Sequence, residues 1–79
     1  MYNNLMEKVK EQQNECYKKY GRFASFHEAM SVLKEEYEEL WQECKKKELD
    51  FELIENEIID NIVVLLKMYR DIVIEKNKR

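Results

Sequence analysis

Two pairs of acidic residues at helical spacing carry the most specific chemistry in this sequence. Glu36 and Glu39 form the first pair, and Glu57 and Asp60 form the second. Residues three apart lie on one face of a helix, so each pair directs two carboxylates towards one place. If two such helices pack together, four carboxylates converge, and a hard divalent cation relieves their repulsion. We refer to these four residues as the acidic quartet.

The first pair taken alone is typical of a solvated helix face, because Glu is a strong helix former. The second pair favours a site, because Glu57 and Asp60 interrupt the most apolar segment of the chain. An acidic side chain is rarely buried there without a partner. The apolar stripes of the first two helices contain no basic residue to pair with Asp60. Both pairs together therefore predict a metal site.

The residue types that are absent favour Mg²⁺, with Mn²⁺ as a possible substitute. The one histidine, His27, does not stand three residues after a glutamate, as a ferritin-like di-iron site requires. No cysteine pair indicates zinc, and no loop suited to calcium is visible. Mg²⁺ prefers a few carboxylates together with water and substrate phosphates, so the predicted metal site is also a candidate nucleotide site.

Composition predicts an all-α fold in a single domain, residues 1–79. The chain has no proline and one glycine, and 44% of its residues are hydrophobic. That much apolar surface in so short a chain predicts a homodimer or homotetramer, because small domains bury a limited fraction of their surface. A net charge of −3 argues against nucleic-acid binding. No apolar run is long enough to span a membrane, and we expect a cytoplasmic protein.

Periodicity and capping signals predict three helices that form an oligomeric helical bundle. The first covers about residues 3–19 and ends at Gly21; the second starts at a capping box of Ser25 and Glu28. The third covers about residues 51–76, with Asp50 as its N-cap, and is apolar nearly all round. Tyr37 and Trp41 lie on the apolar stripe of the second helix, which favours core packing over stacking on a base. Cys16 and Cys44 also lie on apolar stripes, and we expect them to be buried free thiols.

The pattern Glu35-Glu36-x-x-Glu39-Leu40, followed by Glu57-x-x-Asp60, resembles the MazG-like nucleotide pyrophosphohydrolases of the all-α NTP pyrophosphatase superfamily. The resemblance covers about residues 26–71 and is greatest to short phage- or prophage-type members. It implies that the acidic quartet holds Mg²⁺ and includes the catalytic groups, with one carboxylate as a possible general base. The implied reaction converts a nucleoside or deoxynucleoside triphosphate to the monophosphate and pyrophosphate, with a water activated by the metal as nucleophile.

The resemblance also suggests substrate-binding residues and leaves two other functions open. Lys67 and Arg70 are expected to contact phosphates, and Asn61 to orient a ligand or a water. The chain is shorter than most active members, so one alternative is a non-catalytic module that binds metal or nucleotide. The other is a helical oligomerisation protein whose acidic residues pair with lysines across subunits.

Overall fold

The protein is built from helices joined by two short loops, in a computed structural model that describes residues 2–76. Helix α1 spans Tyr2–Tyr20, α2 spans Phe26–Cys44 and α3 spans Phe51–Met68, and a π-helical segment, Tyr69–Ile74, continues α3. The described residues contain no strand, which confirms the all-α class for this part of the chain.

Local capping interactions set the helix boundaries close to those predicted. Gly21 follows α1 with a φ of 69°, the left-handed conformation that favours glycine. The hydroxyl of Ser25 accepts a hydrogen bond from the Glu28 amide at 3.1 Å. The Glu28 carboxylate accepts from the amide of Ala24 at 2.9 Å, one residue earlier than a standard capping box. Asp50 accepts from two amides in the first turn of α3, as expected for an N-cap.

The prediction of one regular helix over residues 51–76 is wrong in its last part. The regular α-helix ends at Met68, and the wider π-helical turns of Tyr69–Ile74 follow. Asp71 and Ile72, both buried, lie within these wider turns. The Asp71 carboxylate accepts hydrogen bonds from the Tyr17 hydroxyl at 2.6 Å and the Phe23 amide at 2.9 Å, which joins the π-helical segment to α1 and the first loop.

Helix α3 lies at the centre of the fold and packs against both other helices. On the α1 side, Val9 contacts Ile59 and Val63 in one buried cluster. On the α2 side, the second cluster consists of Phe23, Ala29, Val64 and Ile72. The core is small, because each cluster contains only a few buried side chains. Helix α3 packs against a helix on two sides, α1 and α2.

Much apolar surface stays exposed, which corrects several expectations from the helical stripes. Tyr37 and Trp41 are 61% and 54% exposed, so neither is a core residue in the single chain. Cys16 is half-buried and Cys44 is exposed, so the prediction of two buried thiols is wrong for Cys44. Both thiols are free. Despite this apolar surface, no helix of the described part of the chain is long and apolar enough to cross a membrane.

Candidate functional site

Three members of the acidic quartet meet where α2 packs against α3. Glu36, Glu39 and Glu57 each place a carboxylate oxygen within 4.8 Å of the others. Asp60 lies one turn beyond Glu57 and does not belong to this close group, although its charge acts on both Glu36 and Glu57. The antiparallel packing of the two helices thus brings the two acidic pairs together, three carboxylates closely and the fourth beside them.

Asn61 ties the two helices together at the site. Its side-chain amide donates hydrogen bonds to the backbone carbonyl of Glu36 at 3.1 Å and to that of Glu57 at 2.7 Å. Because a side-chain amide has two N–H donors, both are used in this bridge. Asn61 therefore positions the acidic residues by holding α2 against α3, and its two N–H donors are already used in this bridge.

Electrostatic crowding is strong among these carboxylates. Burial, together with the charges of Glu39, Asp60 and Glu57, raises the pKa of Glu36 from 4.5 to about 7. Burial followed by the charge of Glu39 raises the pKa values of Glu57 and Asp60 as well. Burial and like charge both disfavour the ionised form of a carboxyl group, which accounts for the sign of each shift.

Several carboxylate oxygens at this place are buried without a hydrogen-bond donor. They are one oxygen each of Glu36, Glu57 and Glu43. Buried polar atoms are nearly always partnered in folded proteins, and a bare anionic oxygen is especially costly. None of the ion pairs among residues 2–76 involves the acidic quartet, so no lysine or arginine of this range forms an ion pair with it.

Glu43 is a further acidic residue near the quartet that the two acidic pairs in the sequence did not indicate. It lies one helical turn after Glu39, its charge raises the pKa of Glu57, and its second oxygen accepts from Lys46 at 2.8 Å. The spacing of 36, 39 and 43 is the signal that was available, because residues three and four apart share a helix face. Glu43 directly precedes Cys44, the last residue of the apolar stripe, so the pattern there indicates a core-facing turn more than an acidic site.

A cavity of about 660 Å³ adjoins the site and reaches from α2 to the C-terminal end of α1. Glu36 and Asp60 line one part of it, and Lys67 lines another. Of the three predicted substrate-binding residues, Lys67 therefore faces the same cavity as the acidic residues. Arg70 instead lines a separate cavity of about 190 Å³ with Tyr17 and Arg22, so it is not brought to the quartet.

The arrangement suits the chemistry of hard cations and phosphates. Carboxylate oxygens from two helices offer the ligands that Mg²⁺ and Mn²⁺ accept, and the adjoining cavity has room for a small organic anion. No family model, curated protein or solved structure matches this chain.

Proposed function

We propose that this protein is an Mg²⁺-dependent nucleoside triphosphate pyrophosphohydrolase of the MazG-like kind. Its acidic quartet would hold Mg²⁺, or Mn²⁺, beside the bound nucleotide. One observation carries the proposal: Glu36, Glu39 and Glu57 converge within 4.8 Å, and two of them have a buried oxygen without a donor. A cation is the simplest partner for these oxygens, because no lysine or arginine of the described residues forms an ion pair with them.

The proposed chemistry is hydrolysis of the bond between the α- and β-phosphates of a ribo- or deoxyribonucleoside triphosphate. The oxygen of water joins the α-phosphorus, pyrophosphate leaves, and the proton of water passes to a carboxylate or to solvent. A bound Mg²⁺ supplies Lewis-acid polarisation of the phosphoryl group and charge neutralisation. The chain itself contributes the oxygen ligands, the Asn61 bridge that keeps the two acidic helices in register, and the adjoining cavity.

The sequence resemblance adds support because the two acidic motifs occur in the order and spacing of the MazG-like enzymes. On the same resemblance, the proposed substrates are nucleoside triphosphates and the proposed location is the cytoplasm. The general base is one of the quartet. Asp60, which stands apart from the three close glutamates while lining the cavity, is well placed to meet a water or substrate.

We further propose that the active form is a homodimer or homotetramer. On α2, Phe26, Met30, Tyr37 and Trp41 are each more than half exposed and recur at helical spacing. A second exposed stripe consists of Ile58 and Leu65 on α3 and Tyr69 at the start of the π-helical segment. Association of copies through these stripes would remove apolar area from water at about 25 cal/mol per Å². Sedimentation velocity over a range of concentrations tests this, and a monomer at all concentrations contradicts it.

Thermal unfolding and pyrophosphate release together test the function. Unfolding is followed in EDTA, with Mg²⁺, and with Mg²⁺ plus each common nucleoside triphosphate. A ligand that binds only the folded state adds about 2.7 kcal/mol at one hundred times its Kd. We expect Mg²⁺ to stabilise the wild type and Glu38→Gln, and not Glu57→Gln, because Glu38 is exposed on the same helix as Glu36 but outside the quartet.

Each outcome separates the alternatives. Stabilisation by Mg²⁺ with release of pyrophosphate supports the enzyme. Stabilisation by Mg²⁺ and nucleotide without pyrophosphate release indicates a non-catalytic binding module. No response to millimolar Mg²⁺ contradicts the metal site and leaves a helical oligomerisation protein.

A further inference from the structure

The cavity beside the acidic quartet continues into a part whose lining is mostly apolar. Phe23, Val63 and Val64 form its floor and are 7%, 2% and 3% exposed. Cys16 on α1 and Val32 on α2 form its walls and are half-buried, so each leaves part of its surface open to the cavity. We name these residues, Cys16, Phe23, Val32, Val63 and Val64, the apolar pocket.

The apolar pocket adjoins the acidic residues along α3. Asp60 lines the same cavity, and Val63 and Val64 follow it by three and four residues, which corresponds to about 4.5–6 Å along the helix axis. The ribose of a nucleotide covers a comparable distance between its phosphate and its base. A nucleotide with its phosphates beside Asp60 therefore places its base over these valines. A flat ring in such a place is stabilised by apolar contact, whatever groups its edge carries.

Polar groups near the apolar pocket are either occupied or exposed. The Lys67 ammonium donates to the Gly21 carbonyl at 2.8 Å and to the Cys16 sulfur at 3.6 Å, so it is not open to a ligand. The Glu28 carboxylate accepts from the Ala24 amide at 2.9 Å. Apart from the acidic residues of the quartet, the other polar residues of the cavity lining are exposed at its rim: Gln12, Glu15, Lys18, Lys19, Tyr20 and Glu35.

This lining determines how strongly one base can be selected over another. Strong selection requires buried donors and acceptors, because a wrong base then leaves them unpaired. An apolar pocket without such groups separates ligands by size and shape, typically by about 10- to 200-fold. The exposed side chains at the rim bond to water when no ligand is present, so they add little to the difference between two bases.

We propose that the apolar pocket binds the base and ribose of a nucleotide by apolar contact and accepts purine and pyrimidine bases alike. This inference rests on the proposed function, since the metal on the acidic quartet fixes the phosphates. It makes Val32, the half-buried wall on α2, a residue that determines how large a base fits. The substrate class is then broad, and it includes nucleoside triphosphates with altered groups on the edge of the base.

Calorimetric titration in Mg²⁺ tests the proposal. Four ligands are the α,β-methylene triphosphate analogues of adenosine, guanosine, cytidine and uridine, which resist hydrolysis between the α- and β-phosphates. The fifth is the corresponding methyl ester, which has the same phosphates and no nucleoside. The proteins are wild type, Val32→Phe, whose larger side chain fills the pocket, and Val73→Phe. Val73 is 40% exposed and lines neither cavity, so it is the matched control.

The wild type should bind each nucleoside analogue about 10- to 100-fold more tightly than the methyl ester, the gain expected from one buried base. The four nucleoside analogues should differ among themselves by no more than about 10-fold. Val32→Phe should lose the gain and keep wild-type affinity for the methyl ester, and Val73→Phe should match the wild type with every ligand. Three results overturn the proposal: a preference of about 1,000-fold or more for one base, equal affinity of the wild type for nucleoside analogues and methyl ester, or wild-type affinity for the nucleoside analogues in Val32→Phe.

If circular dichroism shows that Val32→Phe does not fold, valine-methyl NMR of the wild type takes its place. The chain has five valines, of which Val32, Val63 and Val64 line the cavity, whereas Val9 and Val73 do not. The adenosine analogue should shift the methyl resonances of the three cavity valines through the ring current of the base, and should leave the other two in place. The methyl ester should shift them far less, and equal shifts with the two ligands reject the proposal.

The design separates failure of this inference from failure of the proposed function. If Mg²⁺ neither stabilises the protein nor supports pyrophosphate release, the proposed function fails. Shifts of the cavity valines on addition of adenosine itself would then still show a nucleoside pocket. Conversely, Mg²⁺-dependent hydrolysis by Val32→Phe with the wild-type KM for every nucleoside triphosphate keeps the function and rejects the role of the apolar pocket.

Discussion

Replacement of Glu36 by glutamine should stabilise the metal-free protein at pH 8 and have little effect at pH 4. The pKa of Glu36 is raised from 4.5 to about 7 by burial and by its acidic neighbours. The folded state therefore holds this proton more tightly than the unfolded state does. Stability accordingly falls as the pH rises between 4.5 and 7, because the native state binds more protons over that range. Glutamine cannot ionise and escapes this loss.

The magnitude follows from the shift in pKa and the partial exposure of the side chain. A tenfold change in acid dissociation is worth 1.36 kcal/mol, so a rise from 4.5 to about 7 sets an upper bound of about 3.4 kcal/mol. Glu36 is only half-buried, and solvent screening reduces this to about 1–2 kcal/mol. For a domain of this size, the gain corresponds to about 4–16 °C in Tm.

Urea unfolding followed by circular dichroism, in EDTA at pH 4 and pH 8, measures the effect. Urea is uncharged and leaves the electrostatic interactions unscreened, and the two pH values lie on either side of the range from 4.5 to about 7 in which the pKa shift of Glu36 changes stability. Protein concentration is matched, because self-association adds to apparent stability. Glu38→Gln, at an exposed position on the same helix, should follow the wild type. Parallel pH dependence in Glu36→Gln and the wild type would refute the reasoning, since Glu36 would then ionise normally.

Three other substitutions test the site and its support. Asp60→Asn should leave the metal-free protein at least as stable as the wild type in thermal melts, because it relieves repulsion among the carboxylates. If Asp60 were instead half of a buried ion pair, the same change would destabilise the fold by about 3–5 kcal/mol. Asp71→Asn should lower the urea-measured free energy of unfolding by about 1.5–3 kcal/mol, because it weakens the hydrogen bond from Tyr17; an unchanged midpoint would contradict this. Ile59→Ala should lower the free energy of unfolding by about 2–5 kcal/mol, because Ile59 is buried. Ile58→Ala, at the more exposed neighbouring position, should lower it far less in dilute protein. Equal losses would contradict the assignment of Ile59 to the core.

Most helix boundaries, and the placement of each acidic pair on one helix face, could be predicted because they depend on residues close in sequence. Ser25 and Asp50 act on amides two or three residues away, and Gly21 acts through its own backbone. Such signals are the same in any tertiary context. The three-residue spacing likewise places Glu36 with Glu39 on one face before any packing is known.

The composition of the site beyond those pairs was decided by the packing of the helices. How far α2 slides along α3 determines that Glu57 joins Glu36 and Glu39 while Asp60 stays beside them. The same register brings Glu43 near Glu57. A helical wheel shows which residues share a face of one helix. It contains no information on the axial offset between two packed helices.

Sequence by itself therefore determined three helices, their caps and two acidic pairs, since these follow from local hydrogen bonding and helical period. Only the tertiary structure decided which apolar stripes are covered, so that Trp41 and Cys44 are exposed while the charged Lys67 is buried. The reason is physical: a stripe is buried only where another element lies against it. The position of α1 against α3, which encloses Lys67, is a non-local result of the whole chain.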